Sequence, residues 1–551
     1  MIAVNLDRVT ITYISEPVFE DLSWEIRDDR VVGLVGPNGC GKSTLLRLIA
    51  GELTSDTGFA VRRKGLTIGY LHQEPQLEPG CTVWQETLTA STALSRVEAG
   101  LSRIETQLAD PTIYGDEKAL TRVMGRQARL LEEYERLGGP GYEGRVRSTL
   151  CSLGFTNADF DLAVEVLSGG EKKLVGLAKL LVTQPDLLLL DEPDNHLDLG
   201  GKAFLEQFIR DYGGAVIIVS HDRYLLDQVV DEIVDLEGGR LTRYLGCTYS
   251  EYAVQRQLRL LQQQRAYEAQ QKEIARIEAA IARFEEWAHR VDNERHARQA
   301  RSRRKMLERM DRVEKPILER RRMGLELDGW RGSNKVLEIV DLDKVFASEN
   351  DDDATVVLAG INLLVWRGQR VGLIGPNGAG KSLLFRLILD REMPSGGLIK
   401  IGPSVKIGYY AQEHETLDYE RTLIDTVRQA AKLSEDGAVR FLGRFLFTYE
   451  QARGLVRDLS GGERSRLQMA LLMLSDANFL LLDEPTNNLD IPSAEVLEEV
   501  LAEFEGTVLV ISHDRYFLDR VVDRVVELER GSLVEYIGGY SDYQETKHSN
   551  R

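Results

Sequence analysis

Short apolar blocks bounded by polar residues recur along this chain. Two of them, "LLLL" (187–190) and "AVIIV" (215–219), predict buried strands. In 95–139 and 253–330 the apolar residues recur instead at helical spacing, which predicts amphipathic helices. No run reaches the roughly 18 apolar residues that a membrane-spanning helix needs. The pattern therefore predicts an α/β protein with added helical segments and without a membrane partner.

The same motifs occur twice, in the same order. "GLVGPNGCGKSTLLRLIAG" (33–51) returns as "GLIGPNGAGKSLLFRLILD" (372–390), and "LLLLDEPDNHLD" returns as "FLLLDEPTNNLD". "LSGGE" and "SHDRY" also occur once in each half. Such duplication predicts two copies of one fold. We assign copy one to residues 1–252 and copy two to residues 335–551.

The spacing of the repeats locates an insertion in copy one. Lys42 and Lys381 are 339 residues apart, whereas Ser168 and Ser460 are 292 apart, so copy one carries 47 extra residues between these motifs. The inserted residues have helical periodicity interrupted by "DPTIYGD". We predict a helical arm at about 92–140.

The segment 253–330 has no counterpart in copy two. It is rich in Gln, Arg and Glu and is almost free of Gly and Pro, which favours helix over flexible linker. We predict a connector of two antiparallel helices with a turn near 289–293 and with its basic stretch at or just after that turn.

The composition is typical of a globular protein and argues against cysteine-based metal sites and disulfides. The chain has 551 residues, 43% hydrophobic content and a formal net charge of −19, which is typical of a globular protein. Its four cysteines are widely spaced and form no CxxC pair, which argues against a zinc site, an iron–sulfur site or a disulfide framework. Together with an N-terminus unlike a signal peptide, this predicts a cytoplasmic location.

"GPNGCGKST" follows an apolar strand and opens an apolar-periodic helix, as a phosphate-binding P-loop does. Its glycines let backbone N–H groups point at phosphate oxygens, and the helix dipole adds to the attraction. Lys42 is expected to contact the β- and γ-phosphates, and the Ser43 hydroxyl to bind Mg²⁺. A glycine-rich turn without a ligand is the alternative, but a full match seen twice disfavours it.

Carboxylates follow the "LLLL" strand. Asp191 is expected to help hold Mg²⁺, and Glu192 is a candidate general base for an attacking water. His221, which follows the strand "AVIIVS", is a candidate contact of the γ-phosphate. The corresponding residues of copy two are Asp483, Glu484 and His513.

"LSGGE" beside a P-loop, a glutamine after "IGY", and "DE" followed by "SHD" resemble the ATP-binding cassette (ABC) ATPases over roughly 470 of the 551 residues. The resemblance implies that two cassettes meet head to tail and that each ATP, with Mg²⁺, lies between one P-loop and the opposite "LSGGE". Site one would contain Gly36, Pro37, Asn38, Gly39, Cys40, Gly41, Lys42, Ser43, Thr44, Gln73, Asp191, Glu192 and His221 with Ser460, Gly461 and Gly462. Site two would contain Gly375, Pro376, Asn377, Gly378, Ala379, Gly380, Lys381, Ser382, Leu383, Gln412, Asp483, Glu484 and His513 with Ser168, Gly169 and Gly170.

Within the same resemblance, the metal ligands would be Ser43, Gln73 and Asp191 in site one and Ser382, Gln412 and Asp483 in site two. Tyr13 and Phe346 are candidates to stack on adenine, with an edge-strand aromatic as the alternative for each.

Two positions depart from the symmetry of the repeats. Leu383 stands where copy one has Thr44, so site two lacks a hydroxyl near the α-phosphate. Asp194 stands where copy two has Thr486. An extra carboxylate beside Glu192 either raises the pKa of that group or faces solvent.

A tandem cassette with an arm and a charged helical connector is similar to the F subfamily, ABC-F, of ribosome-associated translation factors. The resemblance implies a monomer with paired cassettes that binds the exit-site region of the ribosome in its ATP state and contacts rRNA and tRNA through the connector. The predicted RNA contacts are Arg295, Arg298, Arg301, Arg303, Arg304 and Lys305, in a stretch without acids. The alternative is a solvated helix face with pairs such as Arg304–Glu308.

Other functions stay open at this point. Within ABC-F, an antibiotic-resistance protein that protects the ribosome competes with a general translation factor. An importer ATPase subunit is disfavoured by the arm and the basic connector. A DNA-acting ATPase is disfavoured because no C-terminal coiled coil follows "YSDYQETKHSNR".

Overall fold

The computed structural model describes residues 1–13, 16–72, 75, 77–109, 117–195, 197–291, 294–310, 333–346, 355–411, 417–487 and 489–549. The chain divides into two units. One is formed by Met1–Thr248 together with Met323–Arg551, and the other by Tyr249–Arg322. The first unit therefore contains both repeated copies, and the second contains the connector.

Copy one combines two sheets with a set of helices. Its strands are β1 (Ile2–Tyr13), β2 (Glu16–Arg27), β3 (Val31–Val35), β4 (Thr57–Arg62), β5 (Ile68–Leu71), β6 (Leu187–Asp191), β7 (Ala215–Val219), β8 (Glu232–Glu237) and β9 (Arg240–Leu245). Its helices are α1 (Lys42–Ala50), α2 (Val83–Leu88), α3 (Thr92–Leu108), α4 (Glu117–Arg136), α5 (Tyr142–Ser152), α6 (Gly169–Thr183), α7 (Leu199–Arg210) and α8 (Arg223–Val229).

The larger sheet of copy one has the strand order β5-β6-β7-β3-β8-β9. Its strands are parallel, except that β9 pairs antiparallel with β8. A smaller antiparallel sheet has the order β2-β1-β4. The strand β3 lies inside the larger sheet between β7 and β8, so the P-loop that follows it emerges at the carboxyl edge beside the end of β7, with the end of β6 one strand further along. Open α/β sheets bind ligands at this edge.

The helical arm of copy one consists of α3 and α4, which pack against each other. Gly100 of α3 faces Leu130 of α4 so closely that an added Cβ would lie 2.9 Å from a Leu130 methyl group. The absence of a side chain at Gly100 lets the two helices approach. The "DPTIYGD" interruption lies outside the described residues.

The connector unit is a helical hairpin formed by α9 (Tyr249–Val291) and α10 (Glu294–Glu308). Ile277 and Ile281 of α9 are buried against Leu307 and Met310, and Phe284 lines the same contact. The apolar spacing of α9 thus produces one face that packs on α10. The helix α9 begins at Tyr249, four residues before the sequence-based boundary of the connector.

Copy two repeats the plan of copy one. Its strands are β10 (Lys335–Phe346), β11 (Thr355–Trp366), β12 (Arg370–Ile374), β13 (Gly396–Ile401), β14 (Ile407–Tyr410), β15 (Phe479–Asp483), β16 (Thr507–Ile511), β17 (Arg524–Glu529) and β18 (Ser532–Ile537), in sheets β11-β10-β13 and β14-β15-β16-β12-β17-β18. Its helices are α11 (Lys381–Ile388), α12 (Leu423–Ala431), α13 (Glu435–Arg444), α14 (Tyr449–Arg453), α15 (Gly461–Met473), α16 (Ile491–Glu503), α17 (Arg515–Val521) and α18 (Tyr540–Ser549).

The continuous apolar blocks are explained by burial of both sheet faces. Along β15, Phe479 and Leu481 enter the core shared with α11 and the antiparallel sheet. Leu480 and Leu482 enter the core on the opposite face. Successive strand residues point to opposite faces, so a strand that is buried on both sides needs an apolar residue at every position.

Across the part of the chain that the structure describes, no helix combines the length and the apolar character that crossing a bilayer requires.

Candidate functional site

The two P-loops adopt the same conformation. In copy one, Nζ of Lys42 donates to the carbonyl oxygens of Gly36 at 2.9 Å and of Pro37 at 3.0 Å. In copy two, Nζ of Lys381 donates to the carbonyl of Gly375 at 2.7 Å and makes the matching contact with Pro376. Each ammonium group therefore lies over its own loop, at the N-terminus of a helix. That arrangement concentrates positive potential where the sequence predicts phosphates.

Glycine is required where each loop enters its helix. Gly41 has φ = 98° and Gly380 has φ = 96°, a left-handed conformation that a side chain disfavours. A Cβ on Gly41 would also lie 2.4 Å from a methyl group of Val18. The loop is thus held by backbone conformation and close packing, which accounts for the glycines at these positions.

The carboxylate that ends β6 has the environment of a metal ligand. Asp191 is 1% exposed, and the Ser43 hydroxyl is hydrogen-bonded to it. Burial raises the pKa of Asp191, and Oδ1 is buried without a hydrogen-bond donor among the described residues. A buried carboxylate oxygen beside a hydroxyl suits Mg²⁺, which prefers oxygen ligands. Asp483 is buried at the corresponding end of β15 in copy two.

The two candidate bases share an unusual backbone. Glu192 has φ = 51° and Glu484 has φ = 50°, values in the left-handed region that residues other than glycine rarely adopt. The Glu192 amide donates to the Val219 carbonyl at 2.8 Å, and the Glu484 amide donates to that of Ile511 at 2.9 Å. These bonds tie each left-handed residue to the adjacent strand. Such strain costs about 1–3 kcal/mol per residue and is concentrated at functional sites.

The candidate histidines lie beside these carboxylates. Nε2 of His221 is 3.6 Å from Oε1 of Glu192, and Nε2 of His513 is 3.5 Å from Oε1 of Glu484. The structure therefore brings together the Glu and His that the sequence predicted for each site.

The electrostatics of the two sites nevertheless differ. Burial opposes ionisation of Glu192, but the neighbouring imidazole of His221 outweighs this effect and lowers the pKa of Glu192 to about 2. Burial and the neighbouring Asp483 raise the pKa of Glu484 to about 8. Burial, with the charges of Lys381 and Lys202, lowers the pKa of His513 well below its usual value. Nearly identical motifs thus sit in unequal surroundings.

A cavity of about 950 Å³ lies between the P-loop of copy two and the "LSGGE" of copy one. Lys381 and Ser382 line one side, and Ser168, Gly169 and Gly170 line the other. Glu484, His513 and Leu383 also line it. The structure therefore brings together, from both copies, many of the residues predicted for site two. Leu383 places a branched apolar side chain where Thr44 stands in copy one.

Phe346, one of the two adenine candidates, lines the same cavity from the end of β10. The residue is 44% exposed, and the ammonium of Lys344 lies 4.9 Å from the centroid of its ring. Because β10 is the central strand of the sheet β11-β10-β13, Phe346 is not an edge-strand aromatic, and it forms part of the cavity wall. The side chain of Tyr13, and Gln73 and Gln412, lie outside the described residues.

The serines of the two "LSGGE" motifs cap the helices that follow them. Ser168 accepts a hydrogen bond from the Glu171 amide, and Ser460 accepts one from that of Glu463. Each glutamate side chain reaches back to the backbone N–H of its serine, which completes a capping box. The caps orient the N-termini of α6 and α15.

Two aspartates that the sequence analysis did not single out cross between the copies. Oδ2 of Asp198 accepts a hydrogen bond from the Asn377 amide of the P-loop in copy two at 3.3 Å. Oδ2 of Asp490 accepts one from the Asn38 amide of the P-loop in copy one at 3.4 Å. Both aspartates also cap the helix that they precede. The final "LD" of the repeated "DEPDNHLD" and "DEPTNNLD" was the available signal.

Asp194 satisfies neither expectation for it. The side chain is 6% exposed, so it does not face solvent, and the pKa of Glu192 is lowered rather than raised. Burial raises the pKa of Asp194 itself, while the charge of Lys202 and a hydrogen bond from Ser220 act in the opposite direction. Asp194 belongs to a buried polar cluster instead of acting on the candidate base.

The two copies meet through a buried, pseudo-symmetric set of ion pairs. Arg223 of α8 pairs with Glu498 of α16, and its guanidinium lies 4.3 Å from the ring centroid of Tyr516. Arg515 of α17 pairs with Glu206 of α7 in the same way and stacks on Tyr224. Both arginines are nearly fully buried.

Two of the predicted RNA contacts pair with residues of α9. Arg304 pairs with Glu285 of α9 at 2.7 Å, rather than with Glu308, and Arg303 lies over the ring of Phe284 at 5.3 Å. Arg298, Arg301 and Lys305 are exposed on α10. The side chain of Arg295 lies outside the described residues. Two of the predicted RNA contacts therefore also hold the hairpin together.

Comparison with known proteins gives matches along the whole chain. A family model described as "ABC transporter" matches residues 19–195 and 358–487, and a second model with the same description matches residues 234–326. The two matched segments of the first model comprise more than half of the chain.

Curated relatives match nearly the full length. "Putative ATP-binding protein YdiF" of Bacillus subtilis is 38% identical over 549 residues, covering 99% of this chain and 83% of the relative. "Energy-dependent translational throttle protein EttA" of Haemophilus influenzae is 36% identical over 540 residues, covering 96% and 92%. "ABC transporter F family member 5" of Arabidopsis thaliana is 34% identical over 547 residues, covering 98% and 77%.

Among solved structures, the "complex of archaeal ribosomal stalk protein aP1 and archaeal ribosome recycling factor aABCE1" aligns with a TM-score of 0.59 and 18% identity. The alignment covers 98% of this chain and 92% of that chain. The likeness concerns the fold, which both chains build from two cassettes.

Proposed function

This chain belongs to the ABC-F family of tandem ATP-binding cassette proteins and is an ATPase, and from that premise we propose that it acts on the ribosome as a translation factor. The observation that carries the proposal is the similarity to EttA, whose name describes a translational throttle and which matches this chain at 36% identity over 540 residues. A role in translation also agrees with the cytoplasmic location that the sequence predicts.

The proposed ATP sites are composite. In site two, Lys381 and the loop amides bind the phosphates, and the capped N-terminus of α6 approaches them from the other copy. Site one has the same design, with Lys42 opposite α15. Both copies come from one chain, which supports a monomer whose cassettes pair internally.

In each site a serine and an aspartate would hold Mg²⁺, Ser43 with Asp191 and Ser382 with Asp483. The ion would neutralise charge on the phosphate oxygens. Glu192 and Glu484 accept the proton of the attacking water, and His221 and His513 orient the γ-phosphate. Gln73 and Gln412 complete the proposed ligand sets.

Ser168→Arg tests the composite arrangement of site two. In a Glu192→Gln chain, where site two alone keeps its base, the added guanidinium should abolish hydrolysis by blocking the cavity. In a Glu484→Gln chain it should leave the hydrolysis at site one. Loss of hydrolysis in both chains, or in neither, would contradict the assignment of Ser168 to site two.

The connector hairpin is the proposed RNA contact. Its α10 presents Arg298, Arg301 and Lys305 to solvent, although the chain as a whole has a formal net charge of −19. Clustered exposed cations bind phosphate backbones with release of counterions. We therefore propose that these residues contact rRNA and tRNA at the exit-site region of the ribosome in the ATP state.

Ribosome co-sedimentation tests this proposal. The Glu192→Gln, Glu484→Gln chain is pelleted with ribosomes in the presence and absence of ATP. It should co-sediment only with ATP, because the amides block hydrolysis and keep the bound state. Adding R301Q and K305Q should weaken co-sedimentation without disturbing the contacts that Arg303 and Arg304 make within the hairpin.

The matched control is R259Q with K272Q, which removes the same charge from exposed positions of α9. Equal loss in both double variants would show that overall charge, not the α10 cations, supports binding. Failure of the parent chain to co-sediment with ATP would refute the ribosome proposal and would direct attention to DNA or a membrane transporter as the partner.

A further inference from the structure

Lys202 is a buried cation of copy one that has no counterpart in copy two. It lies on α7 and is 6% exposed. The position 292 residues later, at the offset that relates the two copies, is Ala494 of α16. An ammonium group is strongly disfavoured in a protein interior unless carboxylates and hydrogen-bond acceptors surround it. The groups around Lys202 must therefore stabilise its charge, and they indicate what the residue does.

The partners of Lys202 come from both copies. Nζ donates to Oδ2 of Asp222 at 2.9 Å, within copy one. It also donates to the backbone carbonyl of His513, in copy two, at 2.9 Å. The carboxylates of Asp194 and Asp514 stabilise its charge further. One side chain of copy one thus holds the backbone of a candidate catalytic residue in copy two.

Asp194 is specific to copy one in the same way as Lys202. Its counterpart in copy two is Thr486, so the buried charges of Asp194 and Lys202, which stabilise each other electrostatically, are both replaced by uncharged residues in the second copy. These two replacements make the otherwise pseudo-symmetric interface of the two copies unequal at this point. Both residues line the cavity of site two.

His513, whose carbonyl accepts the hydrogen bond from Lys202, approaches the candidate base Glu484 at two points. The His513 amide donates to Oε2 of Glu484 at 3.3 Å, and its Nε2 lies 3.5 Å from Oε1 of the same carboxylate. A hydrogen bond to the His513 carbonyl therefore restrains the residue whose amide and imidazole both face Glu484. In site one, the methyl side chain of Ala494 cannot donate a hydrogen bond to His221.

We propose that Lys202 is a positioning residue for site two, which holds the His513 backbone so that the imidazole and Glu484 stay aligned for ATP hydrolysis. Site two then depends on a side chain of copy one, whereas Ala494, at the matched position of copy two, offers site one no such donor. The two ATP sites consequently hydrolyse at different rates for a structural reason. This inference rests on the ATP sites of the proposed function, but it does not depend on the ribosome.

The test separates the two sites with the base substitutions. In a Glu192→Gln chain hydrolysis reports on site two, and in a Glu484→Gln chain it reports on site one. Steady-state hydrolysis of labelled ATP gives kcat and KM for each remaining site, and a single-turnover measurement shows whether the hydrolysis step rather than product release has changed. Lys202→Ala is introduced into both chains, and kcat and KM for ATP are compared with those of the same chain with Lys202 intact.

Lys202→Ala should lower hydrolysis at site two by about 10-fold or more, as the loss of a supporting hydrogen bond in an active site does. The KM for ATP should change little, because the cavity keeps its phosphate-binding groups. Hydrolysis at site one should change by less than about 2-fold. Equal losses at both sites, or no loss at site two, would overturn the inference.

A second variant separates positioning from charge balance. Lys202→Ala leaves Asp194 and Asp222 with one buried cation fewer nearby and so destabilises the fold. Asp194→Thr with Lys202→Ala reproduces the residues of copy two and removes one of those carboxylates. Its thermal unfolding midpoint should recover toward that of the parent chain while the loss at site two persists. Full recovery of hydrolysis at site two would show that Lys202 only balances charge.

Failure of the inference and of the proposed function give different results. If the Glu192→Gln chain with Lys202 intact does not hydrolyse ATP, Glu484 does not act as a base by itself, and both statements fail. If hydrolysis at site two is normal with or without Lys202, only the inference fails. Absence of ribosome binding would refute the translation proposal and leave the Lys202 result standing.

Discussion

Arg223 and Glu498 form an ion pair across the boundary between the two copies, and both side chains are nearly fully buried. The same pair recurs at Arg515 and Glu206, with the copies exchanged. The cassettes are thus joined by one contact used twice, close to the histidines that precede the two arginines in sequence.

Removing one member of this pair should destabilise the joined copies. Arg223→Ala leaves the Glu498 carboxylate buried with fewer cations, a change that typically costs about 3–5 kcal/mol. The unfolding midpoint in denaturant should fall, and ATP hydrolysis with it. The control is Arg421→Ala, which breaks an exposed pair with Asp418 and should cost less than about 1 kcal/mol. Equal effects of the two substitutions would contradict the role assigned to the buried pair.

The charge of Asp490 should stabilise the protein at neutral pH and lose its effect in acid. Burial opposes ionisation, but hydrogen bonds from Ser493 and from the Asn38 amide lower the pKa of Asp490 below 3.8. A carboxyl whose pKa falls on folding contributes stability above its unfolded pKa, and this contribution disappears as pH falls through the folded pKa. Asp490→Asn keeps a helix cap and removes only the charge.

The measurement for Asp490 is the difference in unfolding midpoint between the parent chain and Asp490→Asn. The variant should have a lower unfolding midpoint than the parent chain at pH 7, and the two midpoints should become equal in strong acid. Asp418→Asn, at an exposed carboxylate outside the interface, should show little difference at either pH. If the two midpoints differ by the same amount at every pH, the charge of Asp490 is not the cause of the difference.

The packing of the hairpin predicts a selective effect of shortening Ile281. The side chain is 7% exposed against the apolar residues of α10, so Ile281→Ala should cost about 2–4 kcal/mol. The hairpin should then be cleaved faster by trypsin at its basic residues, while the cassettes stay resistant. Leu258→Ala is the control, because Leu258 is 54% exposed and its loss should change cleavage little. Equal cleavage of both variants would contradict the packing role of Ile281.

The exposed cations of α10 predict a change in salt dependence. If Arg301 and Lys305 contact phosphates, the affinity of the R301Q, K305Q chain for ribosomes should depend less on salt. The slope of log affinity against log salt concentration is negative, and it should become less steep by about 1 to 2. R259Q with K272Q should leave the slope unchanged. An unchanged slope in the α10 variant would mean that these cations do not touch RNA.

Much of the fold could be read from local patterns. "LLLL" and "AVIIV" became strands buried on both faces, and the two P-loops follow strands and open helices as their motifs predict. The family and the ATPase activity were also predicted correctly from the repeated motifs. These features are encoded over a few neighbouring residues, through backbone conformation, helix capping and the alternation of side chains along a strand.

Other features depended on residues that are distant in sequence. Asp194 was expected to act on Glu192 or to face solvent, and instead it lies in a buried cluster near Lys202. Arg304 pairs across the hairpin with Glu285 rather than along its own helix with Glu308. In both cases the charged residue could be read from the sequence but its partner could not. Which opposite charges lie close together depends on how the helices and strands pack.

The sequence by itself determined the duplicated α/β fold, the P-loops and the carboxylates and histidines that follow the strands, because each is a local pattern repeated in the chain. The tertiary structure decided which copy supports which site. Asp198 reaches Asn377, and Lys202 reaches the carbonyl of His513, 311 residues away. Such contacts depend on how two folded copies pack face to face, and no short stretch of sequence specifies that.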